Sequence, residues 1–174
     1  MNNSQLLKSI FFLLCSLSCL QQIQAQPFTA YTDVRQEFYV FDNGAVNRLE
    51  HLIPLDYKIG RSAVAYVDNA RNFKLFKNGT VTPISDLFAT QFEISDNLVM
   101  FRSANMLSVI DGSDVVLLSR LCDRFALGDS VVMFYDINQS SFNAYYNGKI
   151  TQVEGFLSLS ENDFSFGNTV KVSD

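Results

Sequence analysis

Residues 30–46 and 65–81 are two versions of one segment. The first reads Ala30-Tyr-Thr-Asp-Val-Arg-Gln-Glu-Phe-Tyr-Val-Phe-Asp-Asn-Gly44-Ala-Val46, and the second Ala65-Tyr-Val-Asp-Asn-Ala-Arg-Asn-Phe-Lys-Leu-Phe-Lys-Asn-Gly79-Thr-Val81. Self-similarity of this kind restricts a chain to architectures that stack one supersecondary unit. Weaker copies follow. The aromatics Tyr31, Tyr66, Phe101 and Phe134 are spaced 35, 35 and 33 apart, and Gly44, Gly79, Gly112 and Gly148 are spaced 35, 33 and 36. A third series, Tyr57, Phe92, Phe125 and Phe164, is spaced 35, 33 and 39. Three independent markers thus share one period.

Inside each unit the apolar residues alternate with period two, the pattern of strands. The second unit predicts strands at Ala63 to Asp68, Phe73 to Lys77, Thr80 to Ile84 and Gln91 to Ser95, and the other units follow suit. Asn43-Gly44, Asn78-Gly79, Asp111-Gly112 and Asn147-Gly148 join the second and third strands. These dipeptides tolerate the positive φ of a tight hairpin, so the neighbours are antiparallel. Seven of the eight glycines fall at repeat-equivalent turns, which leaves no glycine-rich phosphate loop to build. The expected fold is all-β: a β-propeller-like array of four-stranded antiparallel blades, four units and the start of a fifth. The units span about 28–62, 63–97, 98–130 and 131–163, with a partial one at 164–174. Because Asn168-Thr-Val-Lys-Val-Ser-Asp174 aligns with the opening of a unit, the chain is expected to be a fragment of a longer propeller, of ~6 to 8 blades.

Over Phe28 to Asp174 the chain resembles bacterial secreted β-propeller repeat proteins, WD40-like and TolB-like in the broad sense. The resemblance implies an extracytoplasmic repeat domain. With no tryptophan anywhere, there is no Trp-Asp blade ending and no tryptophan docking motif, and double-glycine kelch signatures are absent too.

Residues 1–25 read as a cleaved signal peptide. Lys8 precedes an apolar run from Ser9 to Leu20, and Ala25 offers a small residue for cleavage. A run of about a dozen residues is short of the ~20 that a bilayer span needs. The mature chain, residues 26–174, is therefore expected to have no transmembrane span and to be secreted, periplasmic or at the cell surface; a lipid-anchored Cys19 is the alternative. Loss of Lys8 takes the formal net charge from −5 to −6, which excludes nucleic-acid binding by bulk electrostatics. Cys122 is then the one remaining cysteine and is expected to be a buried, unpaired thiol.

Chemistry has few places to sit. The turns Gly60-Arg61-Ser62, Ser95-Asp96-Asn97, Gly128-Asp129-Ser130 and Gly167-Asn168-Thr169 follow the fourth strands and carry a variable polar residue on a constant frame. Arg61, Asp96, Asn97, Asp129 and Asn168 are therefore the candidate ligand-binding residues, at the end that also holds the second-to-third hairpins. Tyr146 joins them because it replaces Asp42 and Lys77 beside a hairpin and should point to solvent. Asp33, Asp68 and Asp136 recur at the opposite end. Either calcium binding or turn initiation explains an aspartate there, and turn initiation needs nothing further. His51 is the sole histidine and is placed, partly exposed, in a third strand, so no histidine-based metal site or catalytic base is expected. No nucleophile elbow, zinc-protease helix or Walker loop occurs. Sixteen Phe and seven Tyr mostly fall at inward positions such as Phe38, Phe73 and Phe142, which reads as core. The functional expectation is a non-enzymatic binding or scaffolding module for a protein or glycan, with no cofactor. The alternative is an extracellular carbohydrate-active enzyme that uses Asp96 and Asp129, its site completed by further blades.

Overall fold

The computed structural model describes residues 27–155, which form fifteen β-strands in four antiparallel sheets. The first sheet holds β1 (Phe28–Thr32), β2 (Phe38–Asp42) and β3 (Ala45–Glu50). The second holds β4 (Asp56–Ile59), β5 (Ala63–Val67), β6 (Phe73–Lys77) and β7 (Thr80–Ser85). The third runs through β8 (Ala89–Ile94), β9 (Leu98–Ser103), β10 (Met106–Asp111) and β11 (Asp114–Ser119). The fourth comprises β12 (Cys122–Leu127), β13 (Val131–Asp136), β14 (Ser141–Tyr146) and β15 (Lys149–Gly155). The signal segment, Phe164, Asn168 and the partial fifth unit lie outside the described residues.

Among the described residues the expected strands are present, but their grouping is corrected. The fourth strand of each of the first three sequence repeats opens the next sheet instead of closing its own. Tyr57 pairs with Tyr66, Phe92 with Phe101 and Phe125 with Phe134, so two of the repeating aromatic series are cross-strand neighbours. Link geometry is the cause. Gly60 N donates to Ala63 O at 2.9 Å, Ser95 N to Leu98 O at 2.9 Å and Gly128 N to Val131 O at 2.8 Å, so each three-residue link closes as a hairpin. Sheet boundaries accordingly fall one strand before the repeat boundaries at 62/63, 97/98 and 130/131.

The second-to-third hairpins are refined as well. Asn43, Asn78 and Asn147 take positive φ together with the glycines that follow them. In the third sheet Asp111 pairs directly with Asp114, so Gly112-Ser113 forms the turn and only Gly112 has positive φ, at 64°. Counted from the first central residue, the turns at 43, 78, 112 and 147 are spaced 35, 34 and 35, more evenly than their glycines. Every sheet also bulges where its last two strands pair. Phe38 pairs with Glu50 but Tyr39 with Arg48, which leaves Leu49 unpaired, and the same irregularity falls at Ile84, Leu118 and Val153. A bulge raises local twist and blunts an exposed outer edge.

Three apolar cores lie between consecutive sheets. Phe38, Val40, Val64, Tyr66 and Phe76 fill the first gap, Phe73, Leu75, Phe92, Val99 and Phe101 the second, and Met100, Leu107, Val109, Val132 and Phe134 the third. Alternation dictates this: in β9, Val99 and Phe101 face backward while Leu98 and Met100 face forward, so both sheet faces are apolar. Each large side chain removed from water contributes about 1.5–3 kcal/mol, and for a stack of small sheets that gain comes from neighbouring blades. Phe38, Phe73 and Phe142 are all buried, as the repeat pattern requires. The first strands β4 and β8 lie side by side, with Lys58 Nζ of β4 2.5 Å from Glu93 Oε1 of β8.

Candidate functional site

The β4–β5, β8–β9 and β12–β13 hairpins form a row at one end of the array. They are turns within a sheet, which corrects the expectation that they link blades, yet they keep their place beside the first strands. Gly60 shows how tightly the row is assembled. A Cβ added there would stand 2.9 Å from Ile94 Cγ1 and 3.2 Å from Ser95 O, so the second sheet's hairpin rests on the third sheet's through a position where any side chain would force its neighbours to shift. Ser95 then reaches both ways. Its Oγ accepts from Leu98 N at 3.1 Å, which stiffens its own turn, and donates to Asp129 O at 2.9 Å in the fourth sheet. Asn97 Nδ2 donates to Ser130 Oγ at 3.0 Å.

On this tied frame the variable residues stay exposed. Arg61 Nη1 lies 3.7 Å from Asp96 Oδ2, and Asp96, Asn97 and Asp129 all face solvent. Tyr146 is 56% exposed at the end of β14, while Tyr145 beside it is buried. Val131, next to the Gly128-Asp129-Ser130 turn, pairs with Tyr146, so the phenol borders the row. A shallow cleft opens between the second and third sheets, lined by Ser62, Lys77, Ser95, Asp96, Asn97 and Leu98 among others. The structure thus brings Arg61, Asp96, Asn97, Asp129 and Tyr146 to one end; Asn168 lies outside the described residues. Sequence reasoning missed Ser95 and Ser130 as the ties, and Lys58 with Glu93 as a charged pair on the first strands beneath the row. Repeat-equivalent positions of opposite charge, 58 and 93, were the available signal for that pair.

The opposite end is built differently. Asp68 Oδ1 accepts from Asn72 N at 2.8 Å and its Oδ2 from Asn72 Nδ2 at 3.0 Å, while Lys74 Nζ stands 2.8 Å from Oδ2. Asp33 Oδ1 accepts from Arg35 N and Glu37 N at 2.9 Å each, and Asp136 Oδ1 from Gln139 N at 3.2 Å. Each carboxylate initiates its own turn in its own sheet, in the Asx manner. Burial pushes the Asp68 carboxyl up, but hydrogen bonds from Lys74 and Asn72 outweigh it and hold the group below its usual range. Burial pushes Lys74 down, and its bonds to Asp68 and Glu50 outweigh that too, leaving its ammonium above its usual range. Lys74 Nζ lies 2.7 Å from Glu50 Oε1, and Tyr66 Oη donates to the same oxygen at 3.0 Å, so the cluster fastens the second sheet to the first. Burial, with Glu50 assisting, drives the Tyr66 hydroxyl well above the ordinary phenol range.

Other titratable groups serve packing. Cys122 is buried, its thiol pushed up to about 11 by burial, and Sγ contacts Arg124 O at 3.3 Å, the environment of an inert cysteine. Tyr145, pushed up to about 12 by burial and by its 2.8 Å bond to Asp111 Oδ2, ties the fourth sheet to the third. His51 sits just past the end of β3, not within it, with Nδ1 3.6 Å from Glu37 Oε1.

The sequence matches the family described as the 10-bladed beta propeller domain over residues 22–174. The chain belongs to that family. Ten blades exceed both the four sheets among the described residues and the six to eight expected from the sequence. A search of curated protein sequences gave no match. Among solved structures, human WBSCR16 is 8% identical with a TM-score of 0.49, over 74% of this chain and 49% of that one. HIRA(644-1017) is 11% identical with a TM-score of 0.41, over 74% and 55% respectively. This propeller chain spans about half the length of those two structures. Among the described residues, no helix is long and apolar enough to cross a membrane.

Proposed function

We propose that this chain is part of an exported β-propeller that acts as a non-enzymatic binding or scaffolding module. Its ligand, a protein or a glycan, is held at the end bearing Arg61, Asp96, Asn97, Asp129 and Tyr146, with Asn168 a further candidate from its repeat-equivalent position in the sequence. One observation carries the reading: neighbouring hairpins are locked together through Ser95 and Asn97, while the residues that vary between repeats face solvent. A rigid frame with interchangeable tips allows affinity to change without disturbing the fold. The family's ten blades support a larger ring in which these sheets form one sector.

The enzymatic alternative needs a pair of carboxylates, one of them held protonated by a desolvating pocket. Exposure of both Asp96 and Asp129, and the partnership of Asp96 with Arg61, support binding instead. The test is a panel of soluble glycans and peptides, screened for binding and for hydrolysis with the wild-type chain, Asp96→Asn and Asp129→Asn. The expected result is binding that weakens in both variants, with no turnover in any of the three. Turnover that either substitution abolishes would overthrow the reading.

A further inference from the structure

The spaces between consecutive sheets are finished differently at the hairpin end. Between the first and second sheets the Phe28 ring stacks on Phe76, 6.3 Å between centroids. Between the third and fourth, Tyr145 Oη donates to Asp111 Oδ2 at 2.8 Å. Between the second and third, the equivalent positions carry neither contact. Ala63 stands where Phe28 does, since it pairs with Lys77 as Phe28 pairs with Asp42. Ile110 stands where Phe76 and Tyr145 do, and has no hydroxyl to offer. Lys77 takes the place of Asp42 and Asp111 at the end of a second strand. The shallow cleft opens at this space as a result.

The cleft has two zones. Its floor is Ala63, Leu75, Val99 and Ile110, all buried and apolar, with room for about one water-sized group. Its rim carries Ser62, Lys77 and Asp96. Asp96 faces Arg61 at 3.7 Å, so those two charges offset each other. Lys77 has no ion-pair or hydrogen-bond partner among the described residues. One uncompensated positive charge therefore stands on the rim of a small apolar floor.

We propose that this cleft receives the free C-terminus of a protein partner whose last residue is small and apolar, its methyl group on the floor and its α-carboxylate paired with Lys77. A terminal alanine carries both groups on one Cα, which matches a narrow floor with a cation at its edge. The pairing is a charge-assisted hydrogen bond, the stronger kind, and the Ser62 hydroxyl on the same rim is a second donor. A sugar ring is too large for the floor. An internal acidic side chain would enter with its carboxylate foremost and set an unpaired charge on apolar residues, which is costly. The assignment rests on reading the hairpin row as a binding surface, and it narrows the partner to a protein with an accessible end.

Amide NMR spectra of the isotope-labelled full chain read the site directly. The probes are acetyl-Gly-Gly-Ala as the free acid, the same peptide as its C-terminal amide, acetyl-Gly-Glu-Gly amide and methyl glucuronide. The expected result is saturable shifts with the free acid at residues 62, 77, 97 and 110, which line the cleft, and none there with the other three probes. Affinity for the free acid should drop severalfold in Lys77→Gln and persist in Lys77→Arg. No saturable shift with the free acid, equal shifts with any other probe, or binding that survives Lys77→Gln would overturn the proposal. Asp129 lies outside the cleft, so the response of panel binding to Asp129→Asn judges the wider binding reading separately.

Discussion

Asp68 and Asp96 stand at opposite ends of neighbouring sheets and show two fates of one side chain. Asp68 is buried and spends both carboxylate oxygens on its own turn and on Lys74, which also binds Glu50 of the first sheet. Asp96 is exposed at a hairpin tip and faces Arg61 across 3.7 Å, a separation at which an exposed pair contributes about 0–1 kcal/mol. Hydrogen-bonding capacity used up inside the fold is unavailable to a ligand; capacity left in solvent is available. The Asp-turn end is therefore structural, and the hairpin row keeps the free polar groups that the proposed recognition requires.

Removing Lys74 breaks that contrast most severely. Lys74→Ala leaves Glu50 and Asp68 facing each other in a half-buried interface, and the expected cost is about 2–4 kcal/mol in urea unfolding. A cost under about 0.5 kcal/mol, the scale of an ordinary surface change, would contradict a structural role for this end. Gly60→Ala comes next. The added methyl collides with Ile94 and Ser95, and overpacking of that kind costs about 1–3 kcal/mol. Because the strain falls on the tie between two hairpins, exchange protection should drop first around residues 60–62 and 95–97.

A pH series sharpens the comparison by a smaller amount. Asp68 titrates lower in the folded than in the unfolded chain, so its contribution is present above the unfolded value, near ~3.9, and is lost as pH falls through the folded one. Lys74 titrates higher when folded, so its contribution is present below the unfolded value, near ~10.4, and fades as pH rises through the folded one. Urea midpoints should thus hold a plateau between those limits and fall on both sides. In Asp68→Asn the acid limb should flatten, and an unchanged acid limb would show that other carboxylates govern it.

Much of this was legible in the sequence because period-two alternation and Asn-Gly turns act locally. The strands around Phe73, Asn78-Gly79 and Phe142 needed no tertiary information. The partner of each fourth strand was not legible by the same means, since a strand such as Asp56–Ile59 has hydrogen-bonding edges toward both neighbours and alternation is silent on which is used. Link length does not decide it either: residues 86–88 and 120–121 join different sheets and are as short as Gly60 to Ser62, so only the hairpin bonds of the folded chain separate the two kinds of link. At the site, the repeat alignment pointed to Arg61, Asp96 and Asp129 as the positions that vary. It gave no weight to Ser95, whose hydroxyl is small, polar and unremarkable until a second hairpin lies 2.9 Å away. In the third sheet the turn aspartate is replaced by Ser103, and the shorter turn at Ala104 and Asn105 dispenses with the carboxylate's backbone bonds.

Thermal unfolding of Asp68→Asn beside Asp96→Asn tests the division of labour between the two ends most directly. Asp68→Asn keeps the side chain's size but removes the charge that Lys74 requires, at an expected cost of about 2 kcal/mol, or roughly 4–8 °C in Tm for a domain of this size. Asp96→Asn should move Tm by less than about 2 °C, as exposed substitutions do. Equal shifts, or a larger one for Asp96→Asn, would contradict the assignment of structure to one end and recognition to the other.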